Sequence, residues 1–587
     1  MRGLRRFRRF GLRGLQPDRQ QLAHPLLEAA RQSNWSVREP EWTMLLDVER
    51  ELTQRPRARI ALLVGDRASP LGQMITRAFP QTDLHRFEFL AKQSELHVDL
   101  AAFGPYDLII DDTRRVARRL RVFGNSWYHL KPGGAYVVRD VRAKPWPNDR
   151  RSYDNVIWPY AVELINRRGE PPADESDWRV RDERRRAESL GRVVLGEEHL
   201  ILENRVTGYA KLREHEFNAL IMKRADDRAE LIMTKPPVGF DSRATLEPAE
   251  LYDTDDRFAR HYDVPELSIR RYRDVTLLPA GIALQGNLIL PETFRHNQFR
   301  RLKHRRLIDL SPLFATVADA DAGARLHGRY FFLDIEWREH FGHFTTEQLP
   351  RLWAWPQLKA ELPDLKVVLS LQRGHSKPGQ WQLDVLAAAG VAAEEVVPIF
   401  GPTQVEELIG ATPMSSLPNY IHPEIEQLWR RVGDRLAAGG PAGSYPDKIF
   451  VTRAPDNRLR ECHNREQVEH RFRRAGFEIV RPELHPMAEQ VRMFRAATVV
   501  AGFGGSGMFN LLFRTEPATV IIIRPRSYTS VNEYLISSVL GNSVHLIDSV
   551  PDLDHPDGGW SYDAFRSGFT FDFDREGRDL DRVLADL

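Results

Sequence analysis

TVVAGFGGSGMFNLLF (498–513) decides how the carboxyl-terminal part of this chain is read. Thr498–Gly502 is a β-rich apolar run, and Gly504, Gly505, Ser506 and Gly507 follow it closely. A helix is expected to begin near Ser506, which can cap it. Glycines let a backbone come close to a ligand and present successive N–H groups, while a helix amino terminus adds partial positive charge. The position therefore suits a phosphate or diphosphate. Asn510 lies one turn on and is expected on the same face. The spacing is neither G-x-G-x-x-G nor a P-loop, so a tight turn whose glycines serve only packing stays open as the competing reading.

On either side of this stretch, strand and helix patterns alternate. DKIFVTRA (447–454), EQVEHRFRRAG (466–476), FEIVRP (477–482), AEQVRMFRAA (488–497) and PATVIIIRP (517–525) surround it. Farther upstream, YFFLDIEW (330–337), LKVVLSL (365–371) and WQLDVLAAAG (381–390) repeat the alternation. Such alternation predicts parallel sheets with crossovers, and two Rossmann-like halves across a cleft are the economical arrangement of 233–587. Between 267 and 291, short strands joined by turns are expected. A separate α/β unit is expected from RIALLVG (59–65), YDLIIDD (106–112) and LKPGGAYVVRDV (130–141), with the charged stretch 167–186 as a loop or insertion. The expected division is a basic arm and lead-in at 1–55, an α/β domain at 56–230, a first half at 231–445 and a second at 446–587.

Composition narrows the function. Over 587 residues, 84 Lys+Arg face 82 Asp+Glu, which argues against a dedicated nucleic-acid binder. The single cysteine, Cys462, excludes a disulfide framework and a Cys-cluster zinc site and fits a reducing compartment. The apolar runs are strand-length, so no membrane span is predicted. The first 13 residues hold six arginines. That arm reads as a disordered tail or, with Phe7, Phe10 and Leu12 interleaved, as a weak tether to anionic lipid. A cytoplasmic protein, peripheral at the inner face of the membrane, is the expectation.

Several side chains suit chemistry. His343 and Glu347 share a face if their segment is helical, with Pro350 kinking or restarting it. A carboxylate beside an imidazole can deprotonate a hydroxyl, although a core histidine and a surface glutamate fit the pattern too. Asp334 and Glu336 stand one residue apart, like an Asp-x-Asp metal clamp, a pair too common to establish one. Arg453 ends the strand KIFVTR, with Arg458 and Arg460 in the next loop. Ligands of open α/β sheets gather at such strand ends, where arginine forks onto a diphosphate. His375 and Lys377 occupy the equivalent loop after LKVVLSL.

GHFTTEQLPRLW (342–353) resembles the Gly-His-x3-acidic-x-Leu-Pro-Arg segment of family-61 glycosyltransferases, the group that includes capsular-polysaccharide biosynthesis proteins. KIFVTRA, RECHNREQVEHRFRRAGFEIVRPE (460–483) and MAEQVRMFRAATVVAGFGGSGMFNLLF (487–513) resemble the rest of that family in order and spacing. The resemblance implies an α/β protein with a GT-B pair of Rossmann-like domains, a nucleotide-diphosphate sugar donor, a glycan acceptor and inversion, with no metal and no cofactor required. It makes Glu347 the candidate base, with His343 beside it and Arg351 closing the motif. Arg453 becomes the diphosphate partner, and Gln490 and Asn510 match family positions. In place of the family's His-Gly-Ala-Gly turn stands Gly504-Gly505-Ser506-Gly507, and Arg465 follows Asn464 where the family has an acid.

HLKPGGAYVVRD (129–140) and RIALLVGDRASPLG (59–72) resemble a class I methyltransferase, with the glycine loop reduced to Gly65 and Gly72 and with Glu88 near the place of a ribose-binding acid. A SAM-dependent methyltransferase acting on a glycan and a catalytically inactive glycan-binding scaffold are the alternatives to sugar transfer.

Overall fold

The computed structural model describes residues 24–33, 39–65, 69–88, 93–113, 119–139, 141, 157–168, 177–224, 226–299, 301–439, 443–454 and 458–587. The basic arm at 1–23, and with it the expected lipid tether, lies outside the described residues, as do Asp66 and Arg67. Two compact units emerge, one from residues 1–96 and 104–206, the other from 97–103 and 207–587. The boundary expected at 230 gives way to one after Val206, because the strand Tyr209–Lys211 pairs with Leu288–Ile289 in the second unit's sheet.

In the first unit, six strands among the described residues form one sheet: β1 (Arg59–Val64), β2 (Asp83–Glu88), β3 (Tyr106–Asp112), β4 (Leu130–Arg139), β5 (Leu190–Leu195) and β6 (His199–Asn204). Their order is β2-β1-β3-β4-β6-β5, parallel except for β6, which runs antiparallel to both of its neighbours. The charged stretch read as a loop instead carries the helix Trp178–Ser189, started by Asp177, whose side chain accepts from the Arg179 amide. Buried Arg186 binds the Tyr160 hydroxyl from that helix, at 2.5 Å, which explains how so polar a segment packs.

Gly65 ends β1 under tight constraint: a Cβ there would lie 2.4 Å from the Thr113 carbonyl oxygen. Gly65→Ala is expected to force the β1 and β3 ends apart and destabilise the unit by about 1–3 kcal/mol, visible as a lowered unfolding midpoint in denaturant. Gly72 packs on Leu62, with its ideal Cβ 3.1 Å from Cδ2. Glu88 ends β2 opposite Val64, exposed and 3.4 Å from Arg86.

The second unit contains two large sheets. One is wholly parallel, in the order Thr245–Glu247, Ser543–Ser549, Thr519–Pro525, Val499–Phe503, Lys448–Val451, Glu478–Val480. The other has a parallel run, Thr403–Ala411, Ala324–Phe332, Lys366–Ser370, Val396–Ile399. It is extended by antiparallel strands, beginning with Leu267–Leu278 beside Thr403–Ala411. The Rossmann-like pattern thus describes the parallel parts, and 267–291 forms strands joined by turns as expected, a long one at Leu267–Leu278 and two short ones at Ile282–Gln285 and Leu288–Ile289. Phe331, Trp355 and Val367 from one sheet's region share a single apolar cluster with Val451, Val500 and Phe509 from the other's. Burial of this shared face holds the two sheets together.

Candidate functional site

The strand Val499–Phe503 lies between Lys448–Val451 and Thr519–Pro525, all parallel, so their carboxyl ends open along one edge. A cavity of about 400 Å³ sits there. Arg453, Arg460, Gln490, Gly505, Ser506, Gly507 and Asn510 line it, and Phe341 and Trp381 close it from the side of the other sheet.

The turn after Phe503 leads into the 3₁₀ helix Ser506–Phe513, close to where a helix is expected. Ser506 does not cap it; Gly505 holds the cap position, with φ +148°. A Cβ on Gly505 would meet Arg453 Nη2 at 3.0 Å and Arg460 Nη2 at 3.1 Å, so glycine is what lets two guanidinium groups close over the backbone. The expectation that the amides of 504–507 cradle a diphosphate needs correction. The Gly504 N–H donates to the Ile523 carbonyl at 2.9 Å, and the Gly505 N–H donates to the Glu533 carboxylate at 2.6 Å. Ser506 and Gly507 remain, as the first helical residues, whose amides have no acceptor within the helix.

Arg453 donates to the carbonyls of Gly504 and Leu459. Burial, then the positive charge of Arg460, pull its pKa far below the ordinary value, to about 9. Among the described residues no carboxylate lies within ion-pair distance of either arginine. Buried Glu533 acts on Arg453 from beyond ion-pair distance, so two adjacent cations with no ion-paired carboxylate among the described residues make this wall electrostatically suited to an anion. Asn510 donates to Gln490 at 2.9 Å, and Gln490 donates to the His485 carbonyl at 2.8 Å. That relay fixes both amides beside the glycine turn.

The segment carrying the candidate base changes pitch twice, from an α turn at Phe341–His343 to a π turn at Phe344–Gln348 and a 3₁₀ turn at Leu349–Arg351. Pro350, lacking an N–H, accounts for the widening before it. His343 Nδ1 lies 2.5 Å from Glu347 Oε1. Arg295 Nε approaches the same oxygen at 2.7 Å, and Trp337 stacks on the His343 ring at 5.4 Å and 10°. Burial pushes the Glu347 carboxyl up, but Arg295 and the His343 hydrogen bond outweigh it, and the pKa ends below 4.5. Glu347 is therefore a carboxylate at neutral pH.

Glu347 lines a separate hollow of about 20 Å³ with Arg295, His296, Glu336 and Arg351, rather than the larger cavity. The link between the two is Gly342. A Cβ on it would lie 2.8 Å from Ser506 Cβ and 3.2 Å from the Phe509 ring. The turn that carries His343 thus packs directly on the start of the glycine-turn helix.

Other expected residues serve structure. Buried Asp334 accepts from the amides of Gly281, Ile335 and Ser370 and from the Ser370 hydroxyl, so it ties loops together. Glu336 accepts from the Arg305 amide, and no metal clamp is formed. Among the described residues no group of three or more His, Cys, Asp or Glu gathers as a metal site. Arg351 is buried and donates to the Glu292 carbonyl. His375 pairs with Glu339 at 2.7 Å on the surface, Lys377 is exposed, and Arg458 pairs with Glu461 at 2.6 Å. In the first unit, Gly65 and Gly72 pack closely on Thr113 and Leu62, and Glu88 lies 3.4 Å from Arg86. Arg295 and Glu533 have no signature in the sequence, since each acts on a residue distant along the chain, and Trp337 is brought onto His343 by the turn between them.

Parts of curated proteins resemble this chain. A Streptomyces olivaceus 8-demethyl-8-alpha-L-rhamnosyl tetracenomycin-C 2'-O-methyltransferase is 41% identical over 59 residues, 10% of this chain and 16% of that protein. Demethylmacrocin O-methyltransferase of Streptomyces fradiae is 35% identical over 48 residues, 8% of this chain and 12% of the other. The chain therefore covers less than a fifth of the length of these relatives. The solved MycE methyltransferase of the mycinamycin biosynthetic pathway aligns at 16% identity and TM-score 0.26, over 31% of this chain and 55% of that one. The amino-terminal region is methyltransferase-like. Among the described residues no helix is long and apolar enough to cross a membrane. Residues 341–522, which open at the turn packed on Ser506 and include His343, Glu347, Arg453 and the glycine turn, match the family model Glycosyltransferase 61.

Proposed function

We propose that the second unit is a GT-B-type glycosyltransferase that moves a sugar from a nucleotide-diphosphate donor to a glycan hydroxyl with inversion and without a metal, in cell-surface or capsular polysaccharide synthesis. The observation that carries this is the cavity where Arg453 and Arg460, with no ion-paired carboxylate among the described residues, stand over Gly505 inside the stretch matching a glycosyltransferase family. The diphosphate occupies that wall, held by both guanidinium groups and the amides of Ser506 and Gly507. Gln490 and Asn510 orient the donor. The Glu347–His343 pair takes the proton from the acceptor hydroxyl as it attacks the anomeric carbon. Negative charge developing on the departing diphosphate falls where the fixed donors already point. The absent turn histidine is made up by Arg460, which reaches Gly505 from the neighbouring loop.

A thermal-shift panel of UDP-, GDP- and dTDP-sugars tests the donor class. The matching donor is expected to raise the apparent midpoint progressively, with stabilisation near 2.7 kcal/mol at a hundred times its Kd. No shift from any of them overturns the reading. Methyl transfer to a glycan by the first unit is the second reading, favoured by the curated methyltransferase relatives. Titration calorimetry of SAM into the full chain decides it.

A further inference from the structure

Beyond the strand Ser543–Ser549, the chain leaves large apolar side chains in the open. Trp560 is 58% exposed, and Tyr562 and Leu553 are each 50% exposed. Clustered exposure of this kind marks an interaction surface more often than isolated apolar residues do. Trp560 is centred 6.1 Å from Tyr562 and 5.7 Å from Phe565. Phe565 in turn lies 5.2 Å from Tyr528, and the Arg460 guanidinium covers both rings, 4.2 Å from Tyr528 and 5.8 Å from Phe565. Arg460 is also part of the cavity wall beside Gly505. A line of packed aromatic rings, buried at Tyr528 and half-buried at Phe565, thus connects the wall of the candidate donor cavity to an open indole and the exposed Tyr562 ring.

We propose that this row is a subsite for the acceptor glycan, with sugar rings lying on Trp560 and Tyr562. The inference rests on the glycosyltransferase reading and extends it by naming where the acceptor is held outside the cavity. A pyranose has an apolar C–H face edged by hydroxyls. The C–H face suits the negative face of an aromatic ring and leaves apolar area out of water. The hydroxyl edge needs charged or polar partners, and the row is bordered by the Arg526–Asp554 ion pair and by Arg566 over the Tyr562 ring. That border disfavours a lipid tail. A stable protein partner needs roughly 800 Å² on each side, more than a few rings among charges provide. A nucleobase is assigned by the same reading to the cavity itself, whose lining includes Arg460 but none of these four rings.

The test uses the full chain, with Trp560→Ala/Tyr562→Ala and Trp560→Phe. Both positions are exposed, so folding is expected to persist, as an unchanged unfolding midpoint will show. Binding is read on a microarray of defined oligosaccharides and, separately, by thermal shift with the UDP-, GDP- and dTDP-sugar panel. The expected result is oligosaccharide binding by the unaltered chain, at least a tenfold loss in the double variant, retention in Trp560→Phe, and an unchanged nucleotide shift. The subsite is overturned if the unaltered chain binds no oligosaccharide, if the double variant binds as well as it does, or if the variant loses the nucleotide shift instead. Glycan binding without any nucleotide shift in the unaltered chain would leave the subsite standing and remove the donor reading.

Discussion

Glu347→Gln is expected to lower kcat for sugar transfer by about a thousandfold while leaving the fold and donor affinity intact, within the 10²–10⁴ range typical of a positioned proton acceptor. The substitution is nearly isosteric, and its amide oxygen can still accept from His343 while facing Arg295. The lost charge, rather than a lost contact, is therefore what the measurement reads. Near-normal kcat would remove Glu347 from proton transfer. The pH profile divides the work between the two members of the pair. Glu347 has a folded pKa below 4.5, so its carboxylate form persists until the pH falls through that lowered value. If Glu347 receives the proton directly, the acid limb of kcat/KM lies below the ordinary range of a glutamate carboxyl. An acid limb above that range removes Glu347 as the direct proton acceptor and leaves it the group that holds the His343 ring through Nδ1.

Arg453→Ala is expected to raise the donor KM by about a hundredfold, close to 3 kcal/mol at 1.4 kcal/mol per decade, which steady-state kinetics at saturating acceptor will measure. The reason lies in its surroundings. Burial and the neighbouring Arg460 disfavour the charged guanidinium in the empty site, and a diphosphate relieves both costs together. Arg453 also ties the Gly504 and Leu459 carbonyls, so the alanine variant risks loosening the loop. Arg453→Lys separates the effects, since it restores charge without the planar fork. Partial recovery of donor affinity by lysine indicates an anion site. Donor affinity unchanged in both variants would remove Arg453 from diphosphate binding.

Much of this site was legible in the chain, and unevenly so. The strand–glycine–helix run at 498–513 and the four-residue spacing of His343 and Glu347 are local patterns, and the structure contains both the helix after the glycines and the 2.5 Å contact. The amide cradle was misjudged because one acceptor, Glu533, comes from a helix beyond the next strand, and nothing around Gly505 announces it. The helix Trp178–Ser189 was read as a loop because charge density hid a face that packs through buried Arg186. The spacing of Asp334 and Glu336 could not say what they hold, and it is amides from distant loops that they accept from.

The sequence by itself determined which segments become strands, turns and helices, since backbone preference and side-chain period act between near neighbours. It also supplied the residue types for binding an anion and taking up a proton. Only the tertiary structure decided how those residues meet. Parallel pairing sets Arg453 and Gly505 at adjacent strand ends, the shared apolar core presses Gly342 onto Ser506, and Arg295 arrives from another loop to hold Glu347 charged. Such meetings depend on strand order and burial across long chain separations, which no local spacing records.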